Sequence, residues 1–201
     1  VESITPNWDV ITAGNWYGRW DMHVGSMTPT KQRAKVLSFP AVYYYTPASV
    51  AVHKSSKVSQ VSALSGMKIG TGTGTTFELY LTHDLVIDAE GAPAFSYEID
   101  NPVVKSYETS VVALDDLRLG DGVRLDGVVS SLPTILEAIN NGYPLKVVGS
   151  PVFYEPLAVT VDLGDNELNA KVASIDAAMR TDGTLTIISK KWYGVDYATV
   201  K

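Results

Sequence analysis

The sequence contains no cysteine. That absence excludes disulfides, thiolate nucleophiles, iron–sulfur clusters and cysteine-type zinc sites. Histidine is scarce too: His23, His53 and His83 are the only 3, and their spacing matches no metal-binding motif. No apolar run approaches the roughly 20 residues that a membrane-spanning helix needs. The longest are short and broken, as at Ser49-Val50-Ala51-Val52. Basic residues are outnumbered, 16 against 22 acidic, for a formal net charge of −6. They form no cluster, which argues against a nucleic-acid partner. An initiator methionine is also missing. The chain opens at Val1, which reads as a processing or expression boundary with further sequence expected upstream.

What is present is a globular composition, 45% hydrophobic and 19% charged over 201 residues, enough for one large or two small domains. The pattern predicts a short helix at about 8–15, weakened by Gly14, and a short strand at 21–25 ending at Gly25. One helical turn is expected at 31–35, with 36–39 returning to the core. Residues 48–53 read as strand, 61–65 as a short helix closed by Gly66, and 67–70 as strand. Thr75 and Glu78 have capping-box spacing at the start of a helix from Phe77 to about Asp84. Further strands are expected near 103–105, 126–129 and 145–148, with helices at 108–119 and 133–140. Residues 152–161 read as a β-rich segment interrupted by Pro156. Asp165 caps a long helix in which Leu168, Val172, Ile175 and Met179 step by 4, 3 and 4 to form one apolar face. A last helix covers about 185–191. Strands alternating with helices give an α/β chain with mostly parallel sheet.

Two turns carry residues suited to an anion. In Ser26-Met27-Thr28-Pro29-Thr30-Lys31-Gln32-Arg33, hydroxyls follow a strand and an arginine comes one helical turn later. A guanidinium fork with such donors suits a carboxylate. Taken alone, the octapeptide fits an ordinary polar turn with a surface arginine better. In Gly70-Thr71-Gly72-Thr73-Gly74-Thr75-Thr76, backbone N–H groups precede a helix. The segment lacks the Lys-Ser/Thr of a P-loop and the wider glycine spacing of a dinucleotide site. It too fits a flexible, well-capped turn. Both, however, lie at carboxyl ends of strands, where open α/β sheets bind ligands, and two such turns in different lobes could close on one small carboxylate.

The ordered series resembles the type II periplasmic substrate-binding proteins of amino-acid ABC importers, solute-binding family 3. The carrying residues are Trp8-Asp9, Trp20-Asp21, Gly25 to Thr30, Arg33-Ala34 and Phe39 through Tyr44. They continue in Gly70, Gly74-Thr75-Thr76, Asp126-Gly127-Val128-Val129, Asp182-Gly183-Thr184 and Lys191-Trp192-Tyr193-Gly194. The resemblance implies that Arg33 clamps a ligand carboxylate, with Ser26 and Thr28 beside it. Gly74, Thr75 and Thr76 would bind the same carboxylate from the second lobe. Trp8 would border the ligand, its ring covering an apolar or cationic side chain. Two departures stand out. Ser131 occupies the position at which the family often carries an aspartate for the ligand's ammonium, and serine supplies no compensating charge. The family's opening strand–helix–strand has no counterpart before Val1.

The resemblance thus implies a two-lobed α/β fold with mostly parallel sheets and helices on both faces. Residues 1–50 and 152–201 would form a first, N-terminally incomplete lobe, and 51–151 the second, with hinge crossings near 47–53 and 147–157. The expected function is extracytoplasmic capture of an amino acid or related small carboxylate and its delivery to an ABC permease, with no catalysis and no cofactor. The location would be periplasmic or extracellular, with membrane tethering through the missing N-terminus as an option. The missing segment would come from another chain, a fusion or a swapped copy, covering the apolar face formed by 10–24 and 168–179. Two alternatives stand beside this reading. A cyclohexadienyl dehydratase-like enzyme would need a general acid, for which Glu155 is the candidate. The other is the ligand-binding sensory module of a receptor.

Overall fold

In the computed structural model, which describes residues 1–199, strands and helices alternate along most of the chain. The order is α1 (Trp8–Thr12), β1 (Met22–Met27), a 3-10 turn (Arg33–Lys35), β2 (Leu37–His53), a second 3-10 turn (Val61–Leu64), β3 (Lys68–Gly72) and α2 (Thr76–Leu81). It continues through β4 (Val103–Tyr107), α3 (Ser110–Leu117), β5 (Gly127–Ser131), α4 (Leu132–Asn140), β6 (Leu145–Asp162), α5 (Asn166–Thr181) and α6 (Thr184–Tyr193). The chain forms two compact units. The first is Val1–Tyr45, Val86–Ala92 and Glu155–Lys201; the second is Thr46–Leu85 and Pro93–Tyr154. The excursion of 86–92 into the first unit has no counterpart in the sequence pattern.

In the second unit, β3 pairs in parallel with β4 and β5, while β5 pairs antiparallel with the end of β2 (Ala48↔Ser131 to Ala51↔Val128). Its core joins Ala51, Leu114, Leu117, Leu125, Val128 and Ile135, all buried. In the first unit, β1 pairs antiparallel with β6, Met22 opposite Val161 and Met27 opposite Ala158. The expected mostly parallel sheet is therefore corrected to a mixed one. Parallel pairing needs a crossover, and β3, α2, β4, α3 and β5 supply it. The long strands β2 and β6 meet β5 and β1 without one.

A second correction concerns those long strands. β2 runs 17 residues and β6 runs 18, through Pro40, Pro47, Pro151 and Pro156. A proline removes one ladder donor. Each of these prolines lies outside the stretches paired with β1 and β5, so none interrupts that pairing.

α1 is shorter than expected because Gly14 turns the chain at φ +67°, with Asn15 and Tyr17 also left-handed. A side chain at Gly14 would meet the Val36 carbonyl oxygen at 2.6 Å. The turn delivers Trp16, fully buried, into a cluster with Ile11, Met27 and Leu37. Its indole N–H donates to the Ile11 carbonyl at 3.0 Å, and its backbone N–H to Asp162 at 2.7 Å. Asp165 caps α5 as expected, its carboxylate accepting the Leu168 N–H at 3.0 Å. Yet no residue of α5 is buried, and Ile175 on its apolar stripe is exposed.

Candidate functional site

The Ser26–Arg33 turn is held by the first unit itself. Thr30 accepts the Arg33 N–H on its hydroxyl at 3.2 Å and the Ala34 N–H on its carbonyl at 2.9 Å, which starts the 3-10 turn. The 86–92 stretch clips the other side: Thr30 bridges Ile87, and the Asp88 N–H donates to the Pro29 carbonyl at 3.0 Å. Thr28, Thr30 and Arg33 are buried here, at 0%, 2% and 7% exposure. An ordinary polar turn would leave its arginine in solvent; here it is an interior residue.

One guanidinium nitrogen of Arg33 donates to the Thr28 carbonyl at 2.9 Å. The guanidinium carbon sits 5.2 Å from the centre of the Trp8 ring. The Trp8 ring thus covers a cation of the protein itself, Arg33. Burial lowers the Arg33 pKa to about 10, and the charge of Glu155 works against that fall. The group is still ionised at neutral pH. A fixed guanidinium with five donors in a plane can take a carboxylate in bidentate fashion.

Glu155 is itself buried, on β6, and accepts the Thr28 hydroxyl proton at 3.0 Å. By sequence it is the candidate general acid of the enzyme alternative. The signal was there: a lone carboxylate inside the apolar run Val152 to Val159 must have a polar reason to be buried.

Ser26 adopts φ +63°, a conformation that costs a non-glycine residue energy and that clusters at functional sites. It is held there by tyrosines of β2: its N–H donates to the Tyr43 hydroxyl, and its own hydroxyl bonds that of Tyr44. Burial pushes both phenols up, so they stay neutral.

His23 packs edge-on to Trp8, 6.2 Å between ring centres, and its buried Nδ1 has no hydrogen-bond partner. Burial lowers its pKa below 6.5, and the positive charge of Arg33 lowers it further. The unfolded chain therefore binds a proton more readily, so stability rises with pH through the window just below 6.5. Melting temperatures are expected to fall between pH 6.5 and 5, and His23→Gln to flatten that slope. Carboxylates held low by hydrogen bonds, Asp116 by Tyr107 and Asp182 by Thr184, act only near pH 4 and below. A slope unchanged in the variant would contradict the assignment.

The other expected site residues lie in the second unit. Thr75 caps α2: its hydroxyl accepts the Glu78 N–H at 3.3 Å and donates to the Gly72 carbonyl at 2.6 Å. Gly74, at φ +68°, donates its N–H to the Glu78 carboxylate at 2.7 Å. Thr76 is buried at the first position of the helix. Ser131 caps α4, accepting the Thr134 N–H at 3.4 Å, with its hydroxyl 2.7 Å from that of Thr134. Hydrogen bonds and ring contacts bring Trp8, Thr28 and Arg33 together, with Glu155 and His23 beside them.

The model of the bacterial extracellular solute-binding proteins, family 3, matches residues 1–195. The chain belongs to that family. Among its family relatives are the L-cystine-binding protein TcyJ of Escherichia coli (strain K12), 25% identical over 192 residues, and the ABC transporter arginine-binding protein 1 of the same strain, 27% identical over 184. These alignments cover 94% and 88% of this chain, and 66% and 68% of the relatives. The chain thus spans about two thirds of the length of the curated relatives it matches. Among solved structures, an ancestral arginine-binding protein bound to arginine has a TM-score of 0.77 at 26% identity, over 96% of this chain and 80% of the other. The substrate-binding protein of an amino-acid ABC transporter has the same fold, with a TM-score of 0.78 at 22% identity, over 96% and 80%.

Proposed function

We propose that this family 3 chain binds an α-amino acid or a closely related small carboxylate outside the cytoplasmic membrane and hands it to an ABC importer. The observation that carries the reading is the buried, ionised Arg33, fixed between the Thr28 carbonyl and the Trp8 ring. A desolvated guanidinium held with this much support is suited to a carboxylate. In the second unit, Gly74, Thr75 and Thr76 are proposed as the other ligand-facing element. The names of the relatives point to arginine and cystine as first probes. The chain acts by binding, without turnover. No described helix is long and apolar enough to cross a membrane. A thermal-shift screen of amino acids, betaines and small carboxylates tests the reading, because a ligand that binds only the folded state raises its apparent stability. A rise for at least one α-amino acid is expected; no rise for any small carboxylate would overturn the reading.

We also infer that a further polypeptide segment packs against the exposed apolar side chains of the first unit. β1 is the end strand of the sheet. Val24, Ile175, Ile187 and Trp192 are 58%, 49%, 66% and 73% exposed, on β1, α5 and α6. Large exposed apolar side chains and an unpaired edge favour association. The 201-residue chain by itself is expected to gain mass with concentration in sedimentation experiments, and Ile187→Asp to reduce that gain. A monomer at every concentration would contradict the inference.

A further inference from the structure

We propose that residues 85–99 form a strap that gates ligand exchange: its base is anchored in the second unit, and its tip holds the Arg33 turn of the first by contacts weak enough to release. The proposal rests on the amino-acid reading above, in which groups of both units hold the ligand.

Between α2 and β4 the chain runs from 82 to 102 with no helix, and with no strand beyond a single bridge at Ile87. Connections longer than about 12–15 residues are uncommon in compact domains, and many of them are lids or binding loops. The base of this one is firmly built. Leu85 and Ile99 are buried. Tyr97 donates its hydroxyl proton to the Leu85 carbonyl at 3.2 Å, and His83 Nε2 lies 3.0 Å from the Ile99 carbonyl. The His83 and Tyr97 rings stack at 4.2 Å. Tyr80 of α2 accepts the Glu98 N–H on its hydroxyl at 2.9 Å. These contacts tie both ends of the loop together within the second unit.

The tip, 86–92, belongs to the first unit and is held differently. The Lys31 N–H donates to the Val86 carbonyl at 3.4 Å and the Asp88 N–H to the Pro29 carbonyl at 3.0 Å, on either side of the Thr30–Ile87 bridge. No residue of the tip is buried, and Val86, Asp88 and Glu90 are exposed. A segment held by exposed hydrogen bonds with little buried apolar surface opens locally at low cost. The tip grips the neighbours of Thr30, whose hydroxyl accepts the Arg33 N–H. Since its two ends are fixed to the second unit, any displacement of that unit pulls on the Arg33 turn. A ligand held from both units enters and leaves as they part, and the docked tip resists that parting.

The bridge supplies the test. Its two hydrogen bonds flank Thr30 and Ile87, which makes them a non-hydrogen-bonded antiparallel pair, about 4.5 Å apart at Cα. That lies within the span of a disulfide, and the chain has no cysteine of its own. The double variant Thr30→Cys/Ile87→Cys therefore locks the tip when oxidised and frees it when reduced, so each form is the other's control for folding. The probes are L-arginine and L-glutamine, followed by stopped-flow tryptophan fluorescence. Oxidation should slow association and dissociation together, each at least about tenfold, with Kd changing less than either rate. Asp88→Pro removes one tip donor and should speed both rates about threefold to tenfold; it serves should the double variant fail to fold. A merely structural tip would change Kd and leave association alone. In the ligand-free wild type, the Lys31 and Asp88 amides should exchange with solvent at one shared rate, faster than the Glu98 amide at the base. Equal kinetics in the oxidised and reduced forms, a cysteine pair that stays reduced under oxidant, or tip amides that exchange as slowly as Glu98 would overturn the proposal. If neither amino acid binds the wild type, the amino-acid reading falls, and the amide exchange rates still decide whether the tip releases.

Discussion

Arg33→Ala is expected to reduce the affinity for an amino-acid ligand by about thirty-fold to several-thousand-fold, the 2–5 kcal/mol that truncating a buried charged partner costs. The range is set by burial. Arg33 is 7% exposed, so its charge is little screened and water replaces it poorly. The substitution also frees the Thr28 carbonyl and leaves the Trp8 ring without its cation. Because the charge of Glu155 acts on Arg33, removing the guanidinium strands a buried carboxylate and lowers stability as well. Binding must therefore be scored on protein shown to be folded at the working temperature. Arg33→Lys separates the effects: it keeps the charge near Glu155 but loses the planar fork, and should still bind at least tenfold more weakly (about 1.4 kcal/mol). Affinity within threefold of the wild type for Arg33→Ala would remove Arg33 from the site.

The largest effect on stability is expected at Trp16. Its side chain is fully buried, packs 5.3 Å from the ring of Trp20 and donates its indole N–H to the Ile11 carbonyl. Trp16→Ala opens a cavity and orphans that carbonyl, for a loss of about 4–5 kcal/mol. Set against a typical total of about 5–15 kcal/mol, the change is severe. It corresponds to a fall in melting temperature of about 10–15 °C for a chain of this size. Trp16→Phe keeps most of the volume and loses the N–H, so a smaller fall is expected. A change under about 3 °C for the alanine variant would mean that this cluster is not the core of the first unit.

The short helices and the caps were legible in the sequence because their causes are local. Thr75, Asp165 and the stop at Gly142 act over a few residues. The long strands were not, since prolines read as breaks until the paired stretches are known. The mixed sheet was hidden for a related reason: direction of pairing is a property of distant segments. α5 shows the limit of periodicity. Leu168, Val172, Ile175 and Met179 read as one apolar face, and on it Ile175 is exposed while the other three are half-buried. The pattern reports a face, and cannot report what lies on it.

At the candidate site Arg33, Thr28 and Trp8 share one unit, and the contacts around them come from distant parts of the chain. The clip at 86–92 and the carboxylate of Glu155 lie 58 or more residues from Thr28 in sequence. Without them the turn looks exposed. With them Arg33 is an interior cation, and the Thr28 hydroxyl donates to Glu155.

The central claim is that Arg33 meets a ligand carboxylate. The most direct measurement is a calorimetric comparison of L-arginine with L-argininamide, and of L-glutamine with L-glutaminamide, on the folded wild-type chain. The amides keep the side chain and the ammonium and remove the carboxylate charge. Binding of an acid with no detectable binding of its amide is the predicted result. An amide that binds as tightly as its acid would contradict the account.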